Sequence, residues 1–174
     1  PTALGEAFDT LHPVLRRFHD GAAPRSYAGM AEITRGRSPL ASAVATLFGF
    51  PGPGREVAVR VEITPTDRGE VWTRVFDGRP MTTEMTLGIA GHVRERFGPL
   101  SFELQPGVTD GMLSLPLRRG WLWGVEIPRR LLPLSHAEEY GSGTRFHFDI
   151  RLSLPLIGPM VTYRGWLELQ EGER

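Results

Sequence analysis

Cysteine is absent from the 174 residues, which excludes a disulfide framework, a thiolate metal site and a cysteine nucleophile. Lysine is absent too. All 20 basic residues are arginine, so Schiff-base chemistry and a phosphate-binding-loop lysine are excluded. Net charge is also lacking: the arginines meet 20 acidic residues, and a formal charge of zero leaves no electrostatic footprint for nucleic acid. No apolar run reaches the roughly 18 to 20 residues of a transmembrane helix. Pro1 to Leu15 lacks the basic start and unbroken apolar stretch of a signal peptide, so the expected location is cytoplasmic.

What is present is an ordinary globular composition, 40% hydrophobic and 23% charged, with length for a single domain over residues 1–174. The opening on Pro1 suits a processed chain or the C-terminal part of a longer protein. Leu4, Phe8, Leu11, Leu15 and Phe18 recur at helical spacing and predict an N-terminal helical segment. Pro13 divides it, with Thr10 as a cap, into two short helices or one kinked one. Ser38 as cap, Pro39 at the first helical position and Gly49 as stop predict one inserted helix over residues 38–49. Its Leu40, Val44 and Leu47 stripe is expected to pack inward and close one end of the sheet.

From Arg55 onward the period falls to two, as Val57, Val59, Val61 and Ile63 alternate with Glu56, Arg60 and Glu62. Similar segments follow, separated by tight-turn sequences such as Asp67-Arg68-Gly69, Asp77-Gly78, Asp110-Gly111 and Gly141-Ser142-Gly143. The fold class is mainly β. About ten strands joined this way are expected to form an antiparallel barrel or strongly curved sheet, because an open flat sheet would expose long edges. A two-sheet sandwich is the alternative.

In the strand over Thr144–Leu154, Phe146, Phe148, Ile150, Leu152 and Leu154 share one face, which should be inside. His147 and Asp149 share the other, as a solvated face or as a tuned acid–base pair. The five histidines are scattered without metal-type spacing, and no nucleophile elbow or dinucleotide fingerprint occurs, so neither metal nor cofactor is expected. Trp121 and Trp123, in the glycine- and proline-bounded stretch Gly120–Pro128, read as a hydrophobic plug or the edge of a ligand portal.

Several phrases, Leu11-His12-Pro13-Val14-Leu15-Arg16-Arg17-Phe18-His19, Thr34-Arg35-Gly36, Leu47-Phe48-Gly49-Phe50-Pro51, Trp72-Thr73-Arg74, Arg96-Phe97-Gly98-Pro99-Leu100, Arg145-Phe146-His147-Phe148-Asp149 and Tyr163-Arg164-Gly165-Trp166-Leu167, together resemble the bacterial domain-of-unknown-function 4166 family. The resemblance spans nearly the whole chain. It implies a domain found alone or on the C-terminal side of NAD-dependent oxidoreductase domains, which would themselves carry any cofactor. It implies no established reaction and no catalytic residue.

The function expected from these readings is a binding module that holds a hydrophobic or lipid-like small molecule in an apolar β-barrel cavity. Met81, Met85, Phe102, Met112, Trp121, Trp123, Phe146 and Phe148 are the expected lining. The alternatives are an accessory domain of a fused oxidoreductase, and an isomerase or hydrolase with His147 and Asp149 at the mouth.

Overall fold

The computed structural model describes residues 3–170, which begin with two short helical stretches. A 3-10 turn over Gly5–Thr10 leads into helix α1, Pro13–Phe18. The cap of α1 is His12 rather than Thr10: the His12 Nδ1 accepts from the Val14 N–H at 3.3 Å, while the Thr10 hydroxyl donates to the Ala7 carbonyl. The imidazole lies so close over Gly141 that a Cβ there would sit 2.1 Å from Nδ1. Helix α1 buries Leu15 and Phe18, and the Phe18 ring stacks on Phe146 with centroids 3.9 Å apart. One end of the molecule is thereby sealed by aromatic packing.

The rest is strand. In chain order β1 is Arg25–Arg35, β2 Gly54–Thr66, β3 Gly69–Phe76 and β4 Arg79–Leu87. Then come β5 Val93–Phe97, β6 Leu100–Leu104, β7 Gly107–Thr109, β8 Met112–Ser114 and β9 Leu117–Leu122. The last four are β10 Val125–Glu126, β11 Leu134–Ser142, β12 Arg145–Leu154 and β13 Gly158–Leu169. All pair antiparallel in one sheet, in the order β10-β9-β6-β5-β4-β3-β2-β1-β13-β12-β11-β8-β7.

The fold is thus mainly β, but with 13 strands rather than about ten, in a single sheet that is not closed. The reason lies in residues 112–122. Strand β8 pairs with β11 on one flank, and β9 pairs with β6 on the other. Between them the chain bends at Leu115-Pro116, where Leu115 N–H donates to the Ala137 carbonyl and Gln105 N–H to the Pro116 carbonyl. Proline has no N–H for a ladder, so a single stretch of chain links the two flanks without continuous pairing. The short strands β7 and β10 account for further elements that alternation alone does not reveal.

Within β12 the inward face is Phe146, Phe148, Ile150, Leu152 and Leu154, with Phe146 and Phe148 buried in the core. Phe148 packs closely against β13 where Gly165 leaves the space; a Cβ there would approach the Phe148 Cζ to 2.9 Å.

Helix α2, Pro39–Leu47, is capped by Ser38, whose Oγ accepts from Ala41 N–H. Its packed face differs from the expected one. Ala41 and Ala45, one turn apart, are 0% exposed, whereas Leu40 is 57% and Leu47 80% exposed. The helix packs on β13, and two alanines at i and i+4 permit a closer approach than leucines would. Only Val44 of the expected stripe is half-buried. The stretch expected to plug the sheet or edge a portal is instead an exposed hairpin between β9 and β10. It turns on Trp123 and Gly124, both at positive φ (49° and 80°), and leaves Trp123 78% exposed. Among the described residues no helix is long and apolar enough to cross a membrane.

Leu47→Ala should therefore change the unfolding free energy by no more than about 0.5 kcal/mol, as at ordinary surface positions. Ala45→Leu should overpack the α2–β13 contact and cost about 1–3 kcal/mol. Urea unfolding of the two variants checks the contrast.

Candidate functional site

The curvature of the sheet encloses a cavity of about 580 Å³. Its walls follow from strand alternation. Strand β4 contributes Met81 and Met85, β6 Phe102 and Leu104, and β12 Ile150, Leu152 and Leu154. Val44, Phe48 and Phe50, from α2 and the turn after it, cover one end, and Leu4 and His19 belong to the helical cap at the other. The exposed members of the wall, Asp20, Ala22 and Leu87, stand together at the helical-cap end, after α1 and at the close of β4.

A polar group interrupts this apolar wall. Alternation along β3 sends Glu70, Trp72 and Arg74 inward, and along β11 it sends Ser135, Ala137 and Glu139 inward. Glu139 is 5% exposed, and its Oε2 lies 2.6 Å from His19 Nε2 at the end of α1, 120 residues away in sequence. Glu70 joins Arg25 at 2.6 Å and accepts from Trp72 Nε1 at 2.8 Å. Arg74 donates to Thr83 Oγ1 at 2.9 Å and lies 3.3 Å from Glu95 Oε1, a diagonal across β3, β4 and β5. Each of these buried carboxylates has a polar partner, as burial requires.

Tyr163, on β13, completes the group. Burial is the largest influence on its phenol; Arg74 lowers its pKa, Glu95 and Glu139 raise it, and the result is pushed up to about 12. The hydroxyl is therefore neutral and makes no hydrogen bond among the described residues. It remains able to donate to or accept from a molecule in the cavity.

Of the residues singled out from sequence, Met81, Met85 and Phe102 are in the cavity wall. Phe146 and Phe148 point inward but fill the core beside Phe18 and Tyr163. Met112 lies outside the cavity wall, half in solvent, beside a smaller hollow with His12 and Tyr140. Trp121 is on the outer side, covered by the guanidiniums of Arg94 at 4.6 Å and Arg119 at 5.4 Å, and Trp123 is in solvent.

His147 and Asp149 are not at a mouth. They occupy the outer face because their neighbours along β12 fill the interior. His147 stacks on Tyr140 with centroids 4.8 Å apart, and burial, then Arg145, holds its pKa below the usual imidazole value. Asp149 accepts two bonds from Arg151, at 3.0 and 2.7 Å, which hold its carboxyl below the usual range. No hydrogen bond joins His147 to Asp149 among the described residues, so the acid–base arrangement is not formed. No group of three or more metal-ligating side chains gathers among the described residues.

The polar residues that do meet, His19, Glu70, Arg74, Glu95, Glu139 and Tyr163, were not among the sequence candidates. The available signal was the alternation Glu70-Trp72-Arg74-Phe76, which puts two charges on the same strand face as two large aromatics.

The chain belongs to the family described as domain of unknown function (DUF4166), whose model matches residues 11–167. No curated protein matches it. Two crystal structures are similar in fold. A secretary abundant heat soluble (SAHS) protein from Ramazzottius varieornatus is 11% identical, over 86% of this chain and 96% of that one, with a TM-score of 0.45. Rv2717c from M. tuberculosis is 14% identical, over 92% of this chain and 99% of that one, with a TM-score of 0.48. The comparisons give no support to a fused oxidoreductase domain.

The raised Tyr163 pKa sets a pH dependence. An unfolded tyrosine titrates near pH 10, so between there and about 12 the folded chain holds a proton that the unfolded chain has lost. The stability from the neutral phenol is complete below the unfolded pKa and is lost as pH rises through that window. Tyr163→Phe should flatten this alkaline decline in urea unfolding, leaving the part due to Tyr27, whose burial also raises its pKa.

Proposed function

We propose that this domain binds a hydrophobic or lipid-like small molecule inside its curved sheet. The observation that carries the reading is the cavity itself: about 580 Å³, walled mainly by apolar side chains, leucine, phenylalanine and methionine prominent among them, with a minority of polar groups. Small-molecule sites run to about 300–1,000 Å³ and combine apolar walls with a few placed polar groups. Transfer of a chain from water into such a wall is favourable by about 0.8 kcal/mol per buried CH₂. The flexible Met81, Met85 and Met160 side chains suit a lining that adapts to its occupant.

Titration with the uncharged probe N-phenyl-1-naphthylamine tests the proposal. Saturable one-to-one fluorescence enhancement is expected, and Met85→Trp, which fills the cavity, should weaken it at least tenfold while the circular dichroism spectrum is unchanged. Absence of saturable binding, or full binding by Met85→Trp, contradicts the reading.

A further inference from the structure

Resting on the reading that the cavity holds an apolar molecule, we propose that its occupant carries a cationic amine head and that the cavity rejects the carboxylate equivalent. The charges of the wall point this way. Asp20, Glu70, Glu95 and Glu139 line the cavity against one guanidinium, that of Arg74, and the single imidazole of His19. Arg25 stands behind Glu70 and neutralises it.

Both guanidiniums are already engaged with groups of the protein. Arg25 donates from Nε to the Phe18 carbonyl, from Nη1 to the Ala23 carbonyl and from Nη2 to Glu70. Arg74 uses Nη1 on Thr83 and Nη2 on Glu95, and its guanidinium lies 5.0 Å from the centre of the Trp72 ring. A carboxylate head would have to displace Glu95 from Nη2 of Arg74 to gain a bidentate fork, in a lining that already carries more carboxylates than guanidiniums, which disfavours it in a site of low dielectric.

An ammonium meets the opposite conditions. Glu139 and Glu95 each engage a partner through one oxygen, Oε2 of Glu139 and Oε1 of Glu95, and their other oxygens accept no hydrogen bond among the described residues. Tyr163, 7% exposed, adds an unpartnered hydroxyl to the cavity lining and feels the charges of Arg74, Glu95 and Glu139 together. All three acceptors belong to the cavity lining, and their number matches the three donors of an ammonium. Exposed Asp20 places a further carboxylate at the entrance, where the adjoining Gly21 lies against Glu70.

Calorimetric titration of the protein at neutral pH with n-decylamine, n-decanol and n-decanoate, three heads on one tail, tests the assignment. Decylamine should bind at least tenfold more tightly than either of the others. Glu95→Gln releases Nη2 of Arg74 and removes a carboxylate, so it should reduce the preference for amine over carboxylate at least tenfold. Asp20→Asn, at an exposed position where folding is not at stake, should move the ratio severalfold in the same direction. Decanoate or decanol binding as tightly as decylamine overturns the amine assignment while leaving the cavity reading intact. An amine preference unchanged in both variants overturns its attribution to this wall. Failure of all three to bind while N-phenyl-1-naphthylamine still binds overturns the amine assignment alone, and failure of the probe as well overturns the cavity reading and the assignment with it.

Discussion

A sheet of 13 strands with one apolar face can bury that face only by curving over it, and every other feature of the molecule depends on that constraint. Curvature brings β11 and β13 opposite β3, β4 and β5, although several strands separate them in the pairing order. It leaves a hollow because the inward residues of one wall are too far from those of the other to fill the space between. Phe18, stacked on Phe146, fills one end, and the turn after α2 lays Phe48 and Phe50 over the other. Aromatic side chains narrow both ends, the hollow between them is not filled, and it opens beside Asp20 and Leu87 at the helical-cap end.

The same curvature explains how charged side chains come to be inside. Arg74, Thr83 and Glu95 are near neighbours across three adjacent strands, and each keeps its polar partner without help from the rest of the fold. His19 and Glu139 are different. One is at the end of a helix and the other on the far flank of the sheet, so their 2.6 Å contact forms only when the helical cap is docked. Breaking one side of such a pair leaves a buried polar group without its partner, which ties the position of the cap to the polar wall of the cavity.

Where apolar and polar residues alternate cleanly the strands were legible from sequence, and β12 is the best case: five apolar side chains on one face left no competing arrangement. Helix α2 was legible as a helix from Ser38, Pro39 and Gly49, but its orientation was not. Leucine, valine and alanine occur all around it, so hydrophobicity offers no contrast, and close approach to β13 selected the alanines. Strand β11 was legible as a strand, but its inward face was not, for the converse reason. His136, Glu138 and Tyr140 alternate with Ser135, Ala137 and Glu139, both faces are polar, and nothing local marks Glu139 as the one to be buried. Trp121 and Trp123 misled because bulk suggests burial, whereas guanidiniums cover the first and a left-handed turn holds the second in solvent. The splitting of residues 112–122 between two flanks is a property of the sheet's overall pairing order that no local pattern records.

The five methionines permit one direct test of the central claim that the hollow is a binding cavity. Met81, Met85 and Met160 are in its wall, whereas Met30 lies on the outer face of β1 beside Glu32, and Met112 is outside near His12. Methyl-labelled methionine NMR during titration with N-phenyl-1-naphthylamine should shift the resonances of Met81, Met85 and Met160 together, saturating at one equivalent, while those of Met30 and Met112 stay in place. Shifts confined to Met30 or Met112, or no saturable shift at Met81, Met85 and Met160, would contradict the account.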